Sequence, residues 1–126
     1  MLDINGLTQQ FMSLTKDWDW EVEGFIDTNG YVHPIDIDTK VISTVFERLS
    51  SPVIRTIASS HDYTVEIANQ TTYPDFTLST YDENENLQHR IAIDIKTTYL
   101  SRSMLFTLGG YNSFLRNETK NILCPY

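Results

Sequence analysis

Two acidic residues far apart in the chain, Asp75 and Asp94, and one lysine, Lys96, have the types and spacing that could do chemistry. Asp94 and Lys96 lie two apart in Arg90-Ile91-Ala92-Ile93-Asp94-Ile95-Lys96-Thr97-Thr98. Alternation there predicts a strand with Ile91, Ile93 and Ile95 on one face and Ala92, Asp94 and Lys96 on the other. Asp75 follows Pro74 in Tyr73-Pro74-Asp75-Phe76-Thr77-Leu78, which predicts a second strand pairing with the first through the polar loop 82–88. Two converging carboxylates suit Mg²⁺, which takes one or two of them and keeps waters and substrate phosphate oxygens as its other ligands. Mn²⁺ is the expected substitute. Lys96 would orient or help deprotonate an attacking water, or offset charge developing on phosphorus. The implied chemistry is phosphodiester hydrolysis by in-line attack of a metal-activated water.

That geometry is conditional on register. A symmetric hairpin opposing Tyr81 to His89 would pair Asp75 with Ile95 and send the two carboxylates to opposite faces, so a bulge or a one-residue offset is required. A plainer reading competes: Asp94 and Lys96 as a solvated edge pair and Asp75 as a turn residue. Against it stands the Asp inside Ile91-Ala92-Ile93-Asp94-Ile95, a run typical of a buried central strand, where an uncompensated carboxylate is costly.

The elements that must position these residues are those of one globular domain spanning 1–126. The chain has 126 residues, 40% of them hydrophobic, and a formal net charge of −8. Composition excludes a disordered chain and a multidomain enzyme. No apolar stretch is long enough to span a bilayer and no secretion signal opens the chain, so a cytoplasmic location without membrane attachment is expected. The single Cys124, with His33, His61 and His89 scattered, offers neither an internal disulfide nor zinc spacing, and no organic cofactor motif is present. The acidic balance at first argues against nucleic acid, but it is uneven. Residues 1–89 hold 4 basic and 15 acidic side chains, while residues 90–126 hold 5 basic and 2 acidic ones. A basic surface is therefore expected toward the C-terminal end.

Ile4, Leu7, Phe11, Leu14 and Trp18 have helical spacing. Glu21 to Ile26 and Tyr31 to Ile35 read as a hairpin around Asp27-Thr28-Asn29-Gly30, with Asn-Gly supplying positive φ angles. Asp38 caps a helix whose buried face is Val41, Ile42, Val45, Phe46 and Leu49 and which stops near Ser50-Ser51-Pro52. A separate helix then runs to about His61. Strands follow at Tyr63 to Ile67, Asp75 to Thr80 and Arg90 to Tyr99, then Gly109-Gly110 and a helix from Tyr111 to about Asn121 with Phe114 and Leu115 inward. The fold class is α/β (α+β), a mixed β-sheet flanked by helices. The apolar end Ile122-Leu123-Cys124-Pro125-Tyr126 reads as a strand beginning, as though the C-terminal part were missing.

Pro74-Asp75, eighteen residues, then Asp94-Ile95-Lys96 resembles the P-D…(D/E)-x-K signature of the restriction-endonuclease-like nuclease superfamily. Flanking segments narrow the resemblance to the EcoRV family of type II restriction endonucleases. They are Tyr73 to Leu78, Ile91 to Tyr99, Phe106 to Asn121, and Asp38-Thr39-Lys40-Val41 through Phe46-Glu47. The resemblance implies a Mg²⁺-dependent type II endonuclease of a restriction-modification system, acting on double-stranded DNA as a homodimer. Asp75 and Asp94 would be the metal carboxylates, Lys96 the catalytic lysine and Glu47 an additional acidic residue at the metal site. It also implies DNA contacts at Lys40, Gln70, Thr97, Thr98, Thr107, Ser113, Asn117 and Lys120, and a dimer interface at the hairpin from Trp20 to Ile35. Family members are much longer, and the absent part carries the base-reading loop. Three alternatives stay open: an inactive DNA-binding or dimerisation remnant, a repair nuclease of the same superfamily, and a soluble interaction domain that binds no nucleic acid.

Overall fold

The computed structural model describes residues 1–35, 38–69, 72–97, 115–117 and 124. Its elements in chain order are α1 (Ile4–Thr15), β1 (Gly24–Ile26), β2 (Val32–Pro34), α2 (Thr39–Ser60), β3 (Thr64–Ile67), β4 (Phe76–Tyr81) and β5 (Leu87–Ile93). None of the described helices is long and apolar enough to cross a membrane.

Asp3 caps α1, its Oδ1 accepting from the Gly6 amide at 2.6 Å. Leu7 and Phe11 pack on the core, whereas Ile4 and Leu14 are 74% and 45% exposed, so the buried stripe is narrower than the spacing predicts. Trp18 lies beyond the helix. With Trp20 it builds an aromatic row: Trp20 stands 6.4 Å from Phe11 and 5.9 Å from Phe46, ring centre to ring centre, tying α1 to α2.

The two helices expected around Pro52 are one continuous helix of 22 residues with Pro52 inside it. Asp38 caps it as predicted, accepting from the Lys40 amide at 2.8 Å. The break fails because Phe46, Ser50, Val53, Ile54, Ile57 and Ala58 stay in helical phase across the proline. Packing of that stripe on the sheet outweighs the lost backbone hydrogen bond. Val41, expected on the buried face, is 44% exposed.

In the β1–β2 hairpin Phe25 faces His33. The turn falls at Asp27-Thr28-Asn29-Gly30 as expected, but within it only Gly30 has a positive φ, +86°, and Asn29 does not. The Asp27 carboxylate organises it instead, accepting from the amides of Asn29 and Tyr31 at 2.8 and 3.1 Å.

β3, β4 and β5 form an antiparallel sheet in that order. The strand expected to be central, Ile91 to Ile95, instead flanks β4 in the described sheet and leaves the ladder after Ile93. The centre falls to Phe76–Tyr81, which looks less apolar because Thr77 and Ser79 alternate with Phe76 and Leu78. All four are buried, and the Ser79 hydroxyl accepts from Arg90 Nε at 3.2 Å. Phe76 and Leu78 meet Val53, Ile54, Ile57 and Ala58 of α2 in one core with Leu2, Tyr63 and Ile91. Leu78 has no exposure at all. Leu78→Ala is therefore expected to cost about 2–5 kcal/mol, read as a lower urea midpoint at unchanged m-value. A loss below about 1 kcal/mol would contradict this core.

Of the predicted C-terminal helix, Leu115 and Arg116 are helical, but Leu115 is 57% exposed rather than inward. Asn117, the next residue, is described but not helical; Gly109-Gly110 and the rest of that stretch lie outside the described residues, as does the apolar run at the chain's end apart from Cys124.

Candidate active site

Register decides whether the carboxylates meet. β4 and β5 pair Phe76 with Ile93, Thr77 with Ala92, Leu78 with Ile91, Ser79 with Arg90 and Thr80 with His89, then Tyr81 with Leu87. Gln88 is the extra residue, a bulge that sets the ladder one residue off the symmetric hairpin. The ladder ends at Phe76 and Ile93, so that Asp75 and Asp94 are the residues next beyond its last pair. The offset that the chemistry demands is thus present.

Asp75 sits just before β4, and its Oδ2 accepts from the backbone amide of Ile95 at 2.6 Å, which pins the strand end bearing Asp94 and Lys96. Lys96 Nζ forms an ion pair with Asp94 Oδ2, and the Asp94 side chain is only 17% exposed. From α2, Glu47 is half-buried and lines one cleft with Asp75. Burial pushes the Asp75 carboxyl above its usual pKa range; the Ile95 amide opposes this, Asp94 adds to it and Lys96 opposes it. Burial also raises Glu47, with Asp75 and Asp94 adding to the rise and Arg48 and Lys96 opposing it. Four groups from three elements therefore feel one another's charge: Glu47, Asp75, Asp94 and Lys96.

These donors fit a hard divalent cation. They are carboxylate oxygens held at an electrostatic cost that a cation would relieve. Among the described residues no three His, Cys, Asp or Glu side chains form a ready cage. Mg²⁺ is a cation that takes only one or two carboxylates and leaves its other positions to water and phosphate.

A cleft of about 390 Å³ opens beside Asp75 between α2 and the segment after β3, lined by Lys40, Thr44, Glu47, Arg48 and Asn69 among others. Lys40 is therefore gathered with Glu47 and Asp75. Thr97 is not in that cleft; with Lys96 it lines an apolar groove beside Leu7, Phe11, Phe46 and Ile95. Asn117 is exposed. Gln70, Thr98, Thr107, Ser113 and Lys120 lie outside the described residues. Arg48 was not among the residues singled out from sequence. Its signal was there: it stands eight residues after Lys40, on the same side of a helix with a single acid.

The raised carboxyls have a measurable consequence. A folded-state pKa above the unfolded value means stability that is present below the ordinary carboxylate range and is lost as pH rises through the raised value. Asp75→Asn keeps an oxygen for the Ile95 amide and removes the charge. The variant is expected to melt a few degrees above the parent at neutral pH, with the gap closing in acid. Mg²⁺ should raise the parent's melting temperature but not the variant's. Equal melting at neutral pH, together with no Mg²⁺ effect on the parent, would contradict this electrostatic account.

The family model described as Restriction endonuclease EcoRV matches residues 16–126. Among curated proteins, the chain is 50% identical over 111 residues to the Type II restriction enzyme EcoRV of Escherichia coli, a match covering 85% of this chain and 44% of that protein. The chain thus spans less than half the length of this relative.

Proposed function

The chain belongs to the EcoRV restriction endonuclease family, and from that premise we propose that it carries the catalytic core of a type II site-specific deoxyribonuclease. It hydrolyses phosphodiester bonds of duplex DNA with Mg²⁺, in the cytoplasm, as part of a restriction-modification system. The observation that supports this reading is the offset β4–β5 register, which ends at the pair Phe76–Ile93 beside Asp75 and Asp94, with Lys96 paired to the latter.

Asp75 and Asp94 would hold the cation, with Glu47 supplying a further carboxylate from α2. When bound, Mg²⁺ supplies a Lewis acid for the phosphoryl oxygens and a more acidic water. Lys96, paired with Asp94 in this structure, would supply an ammonium to offset charge developing on the non-bridging oxygens and to orient the attacking water. Asp75 keeps the strand end in place through the Ile95 amide. The Asp75 and Glu47 carboxyls, raised by burial, keep their charge more readily beside a cation and Lys96.

Plasmid DNA incubated with the protein and Mg²⁺ tests the reading: discrete linear fragments are expected. Failure to cut any duplex with Mg²⁺ or Mn²⁺ would sink it.

The proposed assembly is a homodimer, whose two-fold symmetry matches a palindromic site. Its support is the β1–β2 hairpin, where Phe25, Ile26, Tyr31 and Val32 are 58%, 70%, 69% and 59% exposed, apolar surface of the kind a second copy covers. Sedimentation of Phe25→Glu against the parent checks it.

A further inference from the structure

We infer that Arg48, with Lys40 two turns before it on α2, grips a backbone phosphate of the bound DNA that flanks the one to be cut. The inference rests on the nuclease reading above and adds a contact to it.

The placement of charge comes first. Residues 1–89 contain only four Lys and Arg residues, Lys16, Lys40, Arg48 and Arg55, and three of them fall on α2, whose single acid is Glu47. In an otherwise acidic stretch this helix carries the positive charge. Eight residues at about 1.5 Å rise put Arg48 roughly 12 Å along the axis from Lys40 and within a quarter turn of it. Both line the cleft that also holds Thr44, Glu47, Ser51 and Asp75.

Among the described residues Arg48 also has no ion-pair partner, its charge opposing the rise of the neighbouring Glu47 carboxyl. The helix neighbours that could pair with it, three and four residues away, are Thr44, Val45, Ser51 and Pro52, none of them acidic. Among the described residues it forms no ion pair within 4.0 Å, and its side chain is exposed at the cleft. A guanidinium fork beside hydroxyl groups matches phosphate oxygens in shape and charge. DNA entering a site with three carboxylates meets repulsion, and a cation on the α2 side offsets it where the flanking phosphate would pass.

The test is fluorescence anisotropy with a short labelled duplex in EDTA, so that nothing is cut, across a salt series. Arg48→Ala is expected to bind roughly tenfold more weakly near 0.1 M salt and to shrink the slope of log K against log salt by about 1. Arg48→Lys should keep the slope. Arg55→Ala, on the same helix but away from the cleft, should keep both affinity and slope. Equal weakening by Arg48→Ala and Arg55→Ala would mean diffuse attraction and overturn the inference, as would an unchanged slope in Arg48→Ala. If the parent binds DNA but Arg48→Ala does so equally well, only this contact fails. If the parent binds no duplex, the nuclease reading fails with it.

Discussion

Asp94→Ala is expected to leave plasmid DNA uncut, with cleavage falling roughly a thousandfold or more, the scale seen when a preorganised electrostatic partner of the reacting group is lost. Divalent-cation binding, followed by calorimetry without DNA, should fall with it. Asp94 is the least exposed partner in its ion pair, and nothing else in the described site can replace it: Asp75 already accepts from the Ile95 amide, and Glu47 approaches from a different element. With alanine there, Lys96 also loses its partner, so the site changes by one negative charge where a cation is to sit. Intact folding would show as an unchanged unfolding midpoint, since the residue lies past the end of the β4–β5 ladder. Cleavage within tenfold of the parent would remove Asp94 from the mechanism.

Lys96→Ala separates the chemical step from metal capture. Turnover is expected to fall by about 10²- to 10⁴-fold, the range for a positioned proton-transfer or charge-stabilising group. Cation affinity should be kept or raised, because the variant frees the Asp94 carboxylate from its ammonium partner. Arginine is a poor replacement, since its guanidinium does not release a proton and its planar fork needs a different geometry. A loss of metal affinity equal to that of Asp94→Ala would instead make Lys96 a structural partner of the carboxylate.

Much of the site was legible in sequence because strand alternation is local: the spacing of Asp94 and Lys96 already puts them on one face. The capping aspartate Asp38 was legible for a similar reason, a side chain reaching its own helix. What sequence left open was non-local. Whether Asp75 meets Asp94 turned on one unpaired residue, Gln88, whose position no periodicity reveals. Pro52 was misleading because a local breaker was outweighed by a core assembled from β4 and α1. The central strand was misplaced because buried hydroxyls, satisfied by partners such as Arg90, read as polar. Arg48 escaped notice because its meaning comes from the cleft opposite it.

The facing of the site residues depends on how β5 pairs with β4 past the bulge at Gln88, not on the length of the connector between them. A residue added or deleted there that the exposed turn absorbs leaves the facing unchanged, whereas one that slides β5 along β4 by a single position turns Asp94 and Lys96 to the far side of the sheet from Asp75. Burial of Ile91 against Leu78 holds the strand against that slip, so the same contact that fills the core keeps the site switched on.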